Sequence, residues 1–215
     1  MFDFFSARRP STYAGRAMVA TSHPLATSAG LEMLQSGGNA VDAGLAALAV
    51  QCVVDPLMTG IGGDCFALYT PKGGTPKALN GSGRSPAAAT IEALRETGLT
   101  DEIPRTSPHA ITVPGAVSGW CRLHADHGSK PLSDIFRRAI GYAREGYPVT
   151  PRVAADWAAS AEIVGGDENA AAVFLPDGRP PVAGTRHSQP RLGDLLSQIA
   201  EGGAAAFYEG ATAET

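Results

Sequence analysis

A chain of 215 residues that is 44% apolar, 18% charged and 7% aromatic has the composition of an ordinary folded protein, which excludes a disordered tail. Its formal net charge of −4, with acids and bases mixed along the sequence, argues against a nucleic-acid or anionic-membrane partner. The 3 cysteines, Cys52, Cys65 and Cys121, stand far apart without a CxxC pair, so no disulfide framework or zinc site is expected and a reduced setting fits.

In chain order, the opening MFDFFSARRPSTYAG is interrupted by Asp3 and the Arg8-Arg9 pair and lacks the apolar run of a secretory signal. Residues 1–16 read as an N-terminal extension and the protein as cytoplasmic. AMVATS (17–22) reads as a short buried strand. His23-Pro24 then opens a helix, since proline suits a first turn whose N–H groups have no helical partner. That helix stops at Gly37-Gly38. Asn39 is an N-cap for AVDAGLAALAVQCVV, with Asp42 in the favourable first turn. Val41, Leu45, Leu48 and Cys52 mark one face of it, and Ala46, Ala49, Val50 and Val53 make the opposite face apolar too. A helix apolar all round is a buried helix. Its apolar run is too short to span a bilayer and contains Gln51.

Asp55-Pro56 ends that helix, and MTGIGGDCFALY (58–69) follows. CFALYT and KALNGS read as two strands joined by PKGGTP, a hairpin signal. Residues 17–90 are therefore an α/β core portion. Residues 91–215 are mainly helical, in PGAVSGWCRLHADHG, PLSDIFRRAIGYAREG, PRVAADWAASAEIV and PRLGDLLSQIAEGG, with FLPDGRPPVAGT as a surface turn or small hairpin. The last segment, AAAFYEGATAET, has helical composition without a cap, and the expectation is that the polypeptide continues beyond it.

The glycine runs set the chemistry. A dinucleotide fingerprint needs strand, G-x-G-x-x-G, helix; here a helix leads into Gly60-Ile61-Gly62-Gly63 and a strand follows. No P-loop lysine is present. In the second run, Gly81-Ser82-Gly83-Arg84-Ser85-Pro86, proline stands where a third glycine should be. Two readings remain. The glycines supply left-handed turns and close backbone approach, or they line a crevice where the planar fork of Arg84 holds a small acidic ligand. Elsewhere, His124, Asp126 and His127 suit a helix end better than a metal. His23 reads as structural, Cys65 beside Asp64 as packed rather than nucleophilic, Trp120 and Trp157 as core, and Arg137-Arg138 as a solvated face.

Several stretches together resemble the gamma-glutamyltranspeptidase family. They are MVATSHPLATSAGLEMLQSGGNAVDAGLAAL (18–48), TGIGGDCFALY (59–69), SPAAAT (85–90), TVPGAVSGW (112–120), KPLSDIFRRAIGYAREGYPV (130–149) and FYEGATAE (207–214). The resemblance implies part of a four-layer α/β/β/α sandwich of an N-terminal-nucleophile hydrolase with a helical second half. It implies a precursor that cuts itself into a large and a small subunit. The new N-terminal Thr of the small subunit attacks a gamma-glutamyl amide, without metal or cofactor. By this resemblance the chain is most of the N-terminal part of a large subunit, with the Thr beyond Thr215 and no nucleophile of its own. Members typically carry an Arg-Glu pair after the second strand, whose Arg grips the substrate α-carboxylate. Those positions fall here on Ser82 and Gly83. Arg84 is the nearby arginine, so it is the expected carboxylate anchor, with Asn80 and Ser82 as polar neighbours and Gly60, Gly62 and Gly63 shaping the turn under the site. An acylase or oxamate-type amidohydrolase on the same scaffold, or a non-catalytic ligand-binding lobe, are the alternatives.

Overall fold

The structure, a computed structural model, describes residues 11–214. Residues 1–10 of the N-terminal extension lie outside the described residues, and so does Thr215. Residues 11–22 run irregularly and mostly exposed, so the buried strand expected at 17–22 is a correction. A strand needs a neighbour for its N–H and C=O groups, and none runs beside this segment among the described residues. Val19 instead lies over Gly30, where an added Cβ would stand 2.8 Å from its Cγ1.

The elements are α1 (Pro24–Gln35), α2 (Ala40–Val54), β1 (Cys65–Tyr69), β2 (Lys77–Gly81), α3 (Ile91–Glu96), α4 (Ala116–His127) and α5 (Leu132–Glu145). Then come β3 (Tyr147–Pro148), α6 (Pro151–Gly165), α7 (Glu168–Phe174), β4 (Arg186–His187), α8 (Pro190–Gly202), α9 (Ala205–Tyr208) and α10 (Ala211–Glu214). The mixture is α/β with helix predominating. Among the described residues the strands form two antiparallel ladders, β1 with β2 and β3 with β4. In the first, Phe66 faces Asn80 and Leu68 faces Ala78. The segment 174–185, expected as a surface turn or small hairpin, turns through Pro176–Gly178 and delivers β4 to β3.

Local chemistry explains the helix starts. The His23 Nδ1 accepts from the Leu25 amide at 3.2 Å, so the residue before Pro24 is itself the cap. Gly37, at φ +86°, closes α1. At α2 the Asn39 side chain accepts from the Val41 and Asp42 amides, while Asp42 accepts from Asn39 N at 2.8 Å. This is a reciprocal capping box. Asp42 is fully buried, and its carboxylate also accepts from the Ser129 amide at 2.9 Å and the Lys130 amide at 3.3 Å. It therefore ties the start of α2 to the loop after α4. Burial alone would raise its pKa, but the hydrogen bonds from Ser129, Asn39 and Lys130 hold it below the usual carboxylate value.

α2 is the buried centre. It packs on α1 and α5, and α5 packs on α8. Ala26, Ala29 and Gly30 on α1, with Ala43, Ala46 and Ala47 on α2, keep the buried sides of both helices small and permit close approach. Trp120 and Trp157 are core as expected, at 1% and 0% exposure. Trp120 meets Phe136 edge-on at 5.9 Å, joining α4 to α5. The hairpin leans on α4 through Cys65 and Leu79, which touch the bare backbone of Gly119.

Candidate functional site

β2 ends at Gly81, and the chain continues through Ser82, Gly83 and Arg84 alongside Val113-Pro114-Gly115, the approach to α4. The Val113 amide donates to the Arg84 carbonyl at 2.9 Å, and Thr112 Oγ1 donates to the Ser82 carbonyl at 3.2 Å. The two backbones touch as closely as backbones can. A Cβ on Gly115 would stand 2.2 Å from the Gly81 carbonyl oxygen, and one on Gly83 would stand 2.0 Å from that of Val113. Gly83 also sits at φ +78°, the left-handed region that glycine tolerates.

α4 has no side-chain cap. Instead the Gly63 carbonyl accepts from both the Gly115 and Ala116 amides at 3.0 Å. From the far end of the chain, the Tyr208 hydroxyl donates to the Pro114 carbonyl at 2.6 Å and accepts from the Ser118 amide at 3.0 Å. Burial raises the Tyr208 pKa, partly offset by the Ser118 amide, so the phenol stays protonated and able to donate. Between these walls lies an open groove of about 760 Å³, with Asn80, Ser82, Arg84, Ser118 and Tyr208 on its lining.

The structure brings three expected residues to this groove. Asn80 Oδ1 accepts from the Ser82 amide at 3.0 Å, which fixes the turn leaving β2. Arg84 is exposed, and among the described residues its guanidinium has no hydrogen-bond or ion-pair partner. Several arginines outside the groove are engaged: Arg137 and Arg138 both reach Glu32, and Arg122 pairs with Asp126 at 2.7 Å. The lining thus offers one uncommitted cation among neutral polar groups.

The first glycine run forms a turn, closed by the Gly63 amide on the Gly60 carbonyl at 3.3 Å, beside the start of α4. Gly60, Gly62 and Gly63 do not line the groove, and none of the three has a positive φ. A Cβ at Gly60 or Gly62 would meet nothing within 4 Å. The left-handed and close-approach demands fall on Gly83, Gly81 and Gly115 instead. What the GIGG turn supplies is the Gly63 carbonyl that receives the start of α4. Tyr208, Ser118 and the Val113–Gly115 backbone were outside the expected site. Their signals were the GAVSG and FYEG stretches, whose meeting depends on contacts 90 and 94 residues apart in sequence.

The remaining candidates disperse. His124 Nε2 donates to the Lys130 carbonyl at 2.7 Å, Asp126 pairs with Arg122, and His127 stacks on Tyr69 at 4.4 Å. Among the described residues no group of three or more His, Cys, Asp or Glu is arranged to hold a metal ion. The Cys65 thiol is buried, and burial raises its pKa, so it is a poor nucleophile. Cys52 is pushed up to about 12 by burial. No helix of the described residues is long and apolar enough to cross a membrane.

Fold and groove together define an α/β protein with a small-molecule-sized cleft where a hairpin meets a helix. A family model described as gamma-glutamyltranspeptidase matches residues 26–215. The chain is 39% identical over 199 residues to the glutathione hydrolase-like YwrD proenzyme of Bacillus subtilis, a match covering 92% of this chain and 37% of that protein. It is 37% identical over 203 residues to the oxamate amidohydrolase proenzyme of Klebsiella pneumoniae, covering 92% and 38%. The crystal structure of a cephalosporin acylase from Bacillus halodurans superposes with a TM-score of 0.87 at 40% identity, over 100% of this chain and 42% of that one. The chain belongs to the gamma-glutamyltranspeptidase family, a family of enzymes. It spans less than half the length of these relatives.

Proposed function

We propose that this chain is part of the large subunit of a gamma-glutamyltransferase-like enzyme, and that its groove receives the acidic end of an amide substrate. The observation that carries this reading is the uncommitted guanidinium of Arg84, at the edge of a groove whose backbone is pinned on both sides. Such a guanidinium presents paired donors that match a carboxylate, and Asn80 and Ser82 add neutral polar groups beside it.

In this reading the attacking hydroxyl belongs to the N-terminal Thr of a small subunit, which also completes the α/β/β/α layers. The Thr oxygen adds to the amide carbonyl carbon while its α-amine takes the hydroxyl proton. The C–N bond then breaks, the proton leaves with the amine, and an acyl ester remains. Water or an acceptor amine adds to that ester, and the Thr oxygen departs with a proton. The present chain's part is to hold the acyl group so that its carbonyl meets the Thr, a positioning effect.

One observation favours an acylase or oxamate-type substrate over a gamma-glutamyl one. The Glu of the family's Arg-Glu pair falls on Gly83, where even a Cβ would stand 2.0 Å from the Val113 carbonyl oxygen. A Glu side chain at this position therefore has no room. A plain carboxylate needs only Arg84.

The test is Arg84→Ala in the full precursor. Losing a charged hydrogen-bond pair is worth roughly 1.5–3 kcal/mol, so KM for a carboxylate-bearing amide should rise about ten- to a hundredfold. Self-cleavage should proceed normally. An unchanged KM would remove Arg84 as the anchor. Comparing a dicarboxylic monoamide with its gamma-glutamyl counterpart separates the two substrate classes.

A further inference from the structure

Tyr208 lies far from Arg84 in sequence, yet both line the groove. Its hydroxyl is used twice, donating to the Pro114 carbonyl at 2.6 Å and accepting from the Ser118 amide at 3.0 Å. These two partners flank the bend at Gly115 where the chain enters α4. On the other side of that bend, Val113 N donates to the Arg84 carbonyl at 2.9 Å. Gly115 meanwhile is pressed so close to the 81–83 backbone that a Cβ would stand 2.2 Å from Gly81 O and 2.5 Å from Gly83 N. The segment from Gly81 to Arg84 thus has the 113–118 bend as its backing, and the bend has Tyr208 as its clasp.

Among the described residues the N-cap of α4, Gly115, receives no side-chain cap. Gly63 holds the Gly115 and Ala116 amides through one carbonyl, and Tyr208 takes the Ser118 amide of the same first turn. A phenol is suited to this double duty because one O–H both donates and accepts. The ring arrives from α9, which packs on α8. The position of the groove wall is therefore set partly by the C-terminal helices.

From this we infer that Tyr208 is a positioning residue for the Arg84 carboxylate anchor. Its hydroxyl holds the 113–118 bend, and the bend holds the backbone that aims the guanidinium. The inference rests on the reading of the groove as a carboxylate site. It gives the FYEG stretch a function: the α9 segment must be docked before the anchor is set.

The experiment uses Tyr208→Phe in the full two-subunit enzyme, which removes one oxygen and keeps the ring. Kinetics are measured on a carboxylate-bearing amide and on a matched amide with an uncharged acyl end. The expected result is a KM for the charged substrate raised about five- to tenfold with kcat nearly unchanged, the pattern of lost binding alignment. Self-cleavage is complete, and the uncharged substrate is indifferent. In an Arg84→Ala background the effect of Tyr208→Phe on KM disappears, because there is no guanidinium left to aim. Equal losses on both substrates, a fall in kcat alone, or full additivity with Arg84→Ala would overturn the positioning role. If Arg84→Ala itself leaves KM unchanged, the carboxylate reading fails. If Arg84→Ala raises KM and Tyr208→Phe does not, only the positioning role fails.

Discussion

Gly83→Ala is the sharpest perturbation of the groove. The residue sits at φ +78°, where a side chain costs about 1–2 kcal/mol relative to glycine. Its new Cβ would stand 2.0 Å from the Val113 carbonyl oxygen, where contacts under 3.0 Å are essentially never seen, so the two backbones must part by about 1 Å (3.0 − 2.0). That separation breaks or lengthens the Val113–Arg84 bond at 2.9 Å and the Thr112–Ser82 bond at 3.2 Å, each worth about 1 kcal/mol. The sum is roughly 3–4 kcal/mol. The assay is thermal melting of the full precursor with steady-state kinetics on a carboxylate-bearing amide. Gly83→Ala should melt several degrees lower and raise KM, because the segment that carries Arg84 has moved. Gly62→Ala is the control: its Cβ meets nothing within 4 Å and its φ is not positive, so both readouts should stay near wild type. A Gly83→Ala enzyme with wild-type melting and KM would refute the reasoning, and so would a Gly62→Ala enzyme damaged as badly.

Other outcomes follow from the same contacts. Asp42→Ala removes the fully buried carboxylate that accepts three part-buried hydrogen bonds, from the Asn39, Ser129 and Lys130 amides, and at about 1 kcal/mol each should cost about 3 kcal/mol, read as a large fall in melting temperature. Burial holds both His23 and His187 below the ordinary imidazole pKa, and the Nε2 of each is buried without a hydrogen-bond partner among the described residues. The unfolded chain therefore binds more protons as pH falls below about 6.5, and stability declines there. His187→Phe, set among Tyr147, Trp157 and Phe174, should flatten the melting-temperature slope between about pH 7 and 5. An unaltered slope would contradict that. Arg122→Ala removes an exposed pair within one helix and should leave melting and kinetics unmoved.

How much of this was legible beforehand depended on distance along the chain. The Asn39 cap with Asp42 in the first turn, the Pro and Gly boundaries of α1 and the PKGGTP hairpin are decided within a few residues, and each stands as read. The 17–22 segment has strand composition, but a strand is a relation between two segments, and Val19 packs on Gly30 instead. The GIGG run looked like the special backbone because its glycines are crowded. The demanding positions are Gly83 and Gly115, identified only when two segments about thirty residues apart are laid together. Arg84 could be named as a candidate from its neighbours in sequence. That its guanidinium stays uncommitted while Arg137 and Arg138 converge on Glu32 is a fact of packing. The Tyr208 clasp is wholly non-local.

The most direct measurement is a crystal structure of the mature two-subunit enzyme with a carboxylate-bearing substrate analogue bound. The carboxylate should lie about 3 Å from the Arg84 guanidinium, with the Tyr208 hydroxyl still clasping Pro114 and Ser118. A carboxylate held elsewhere, with Arg84 pointing into solvent, would contradict the account.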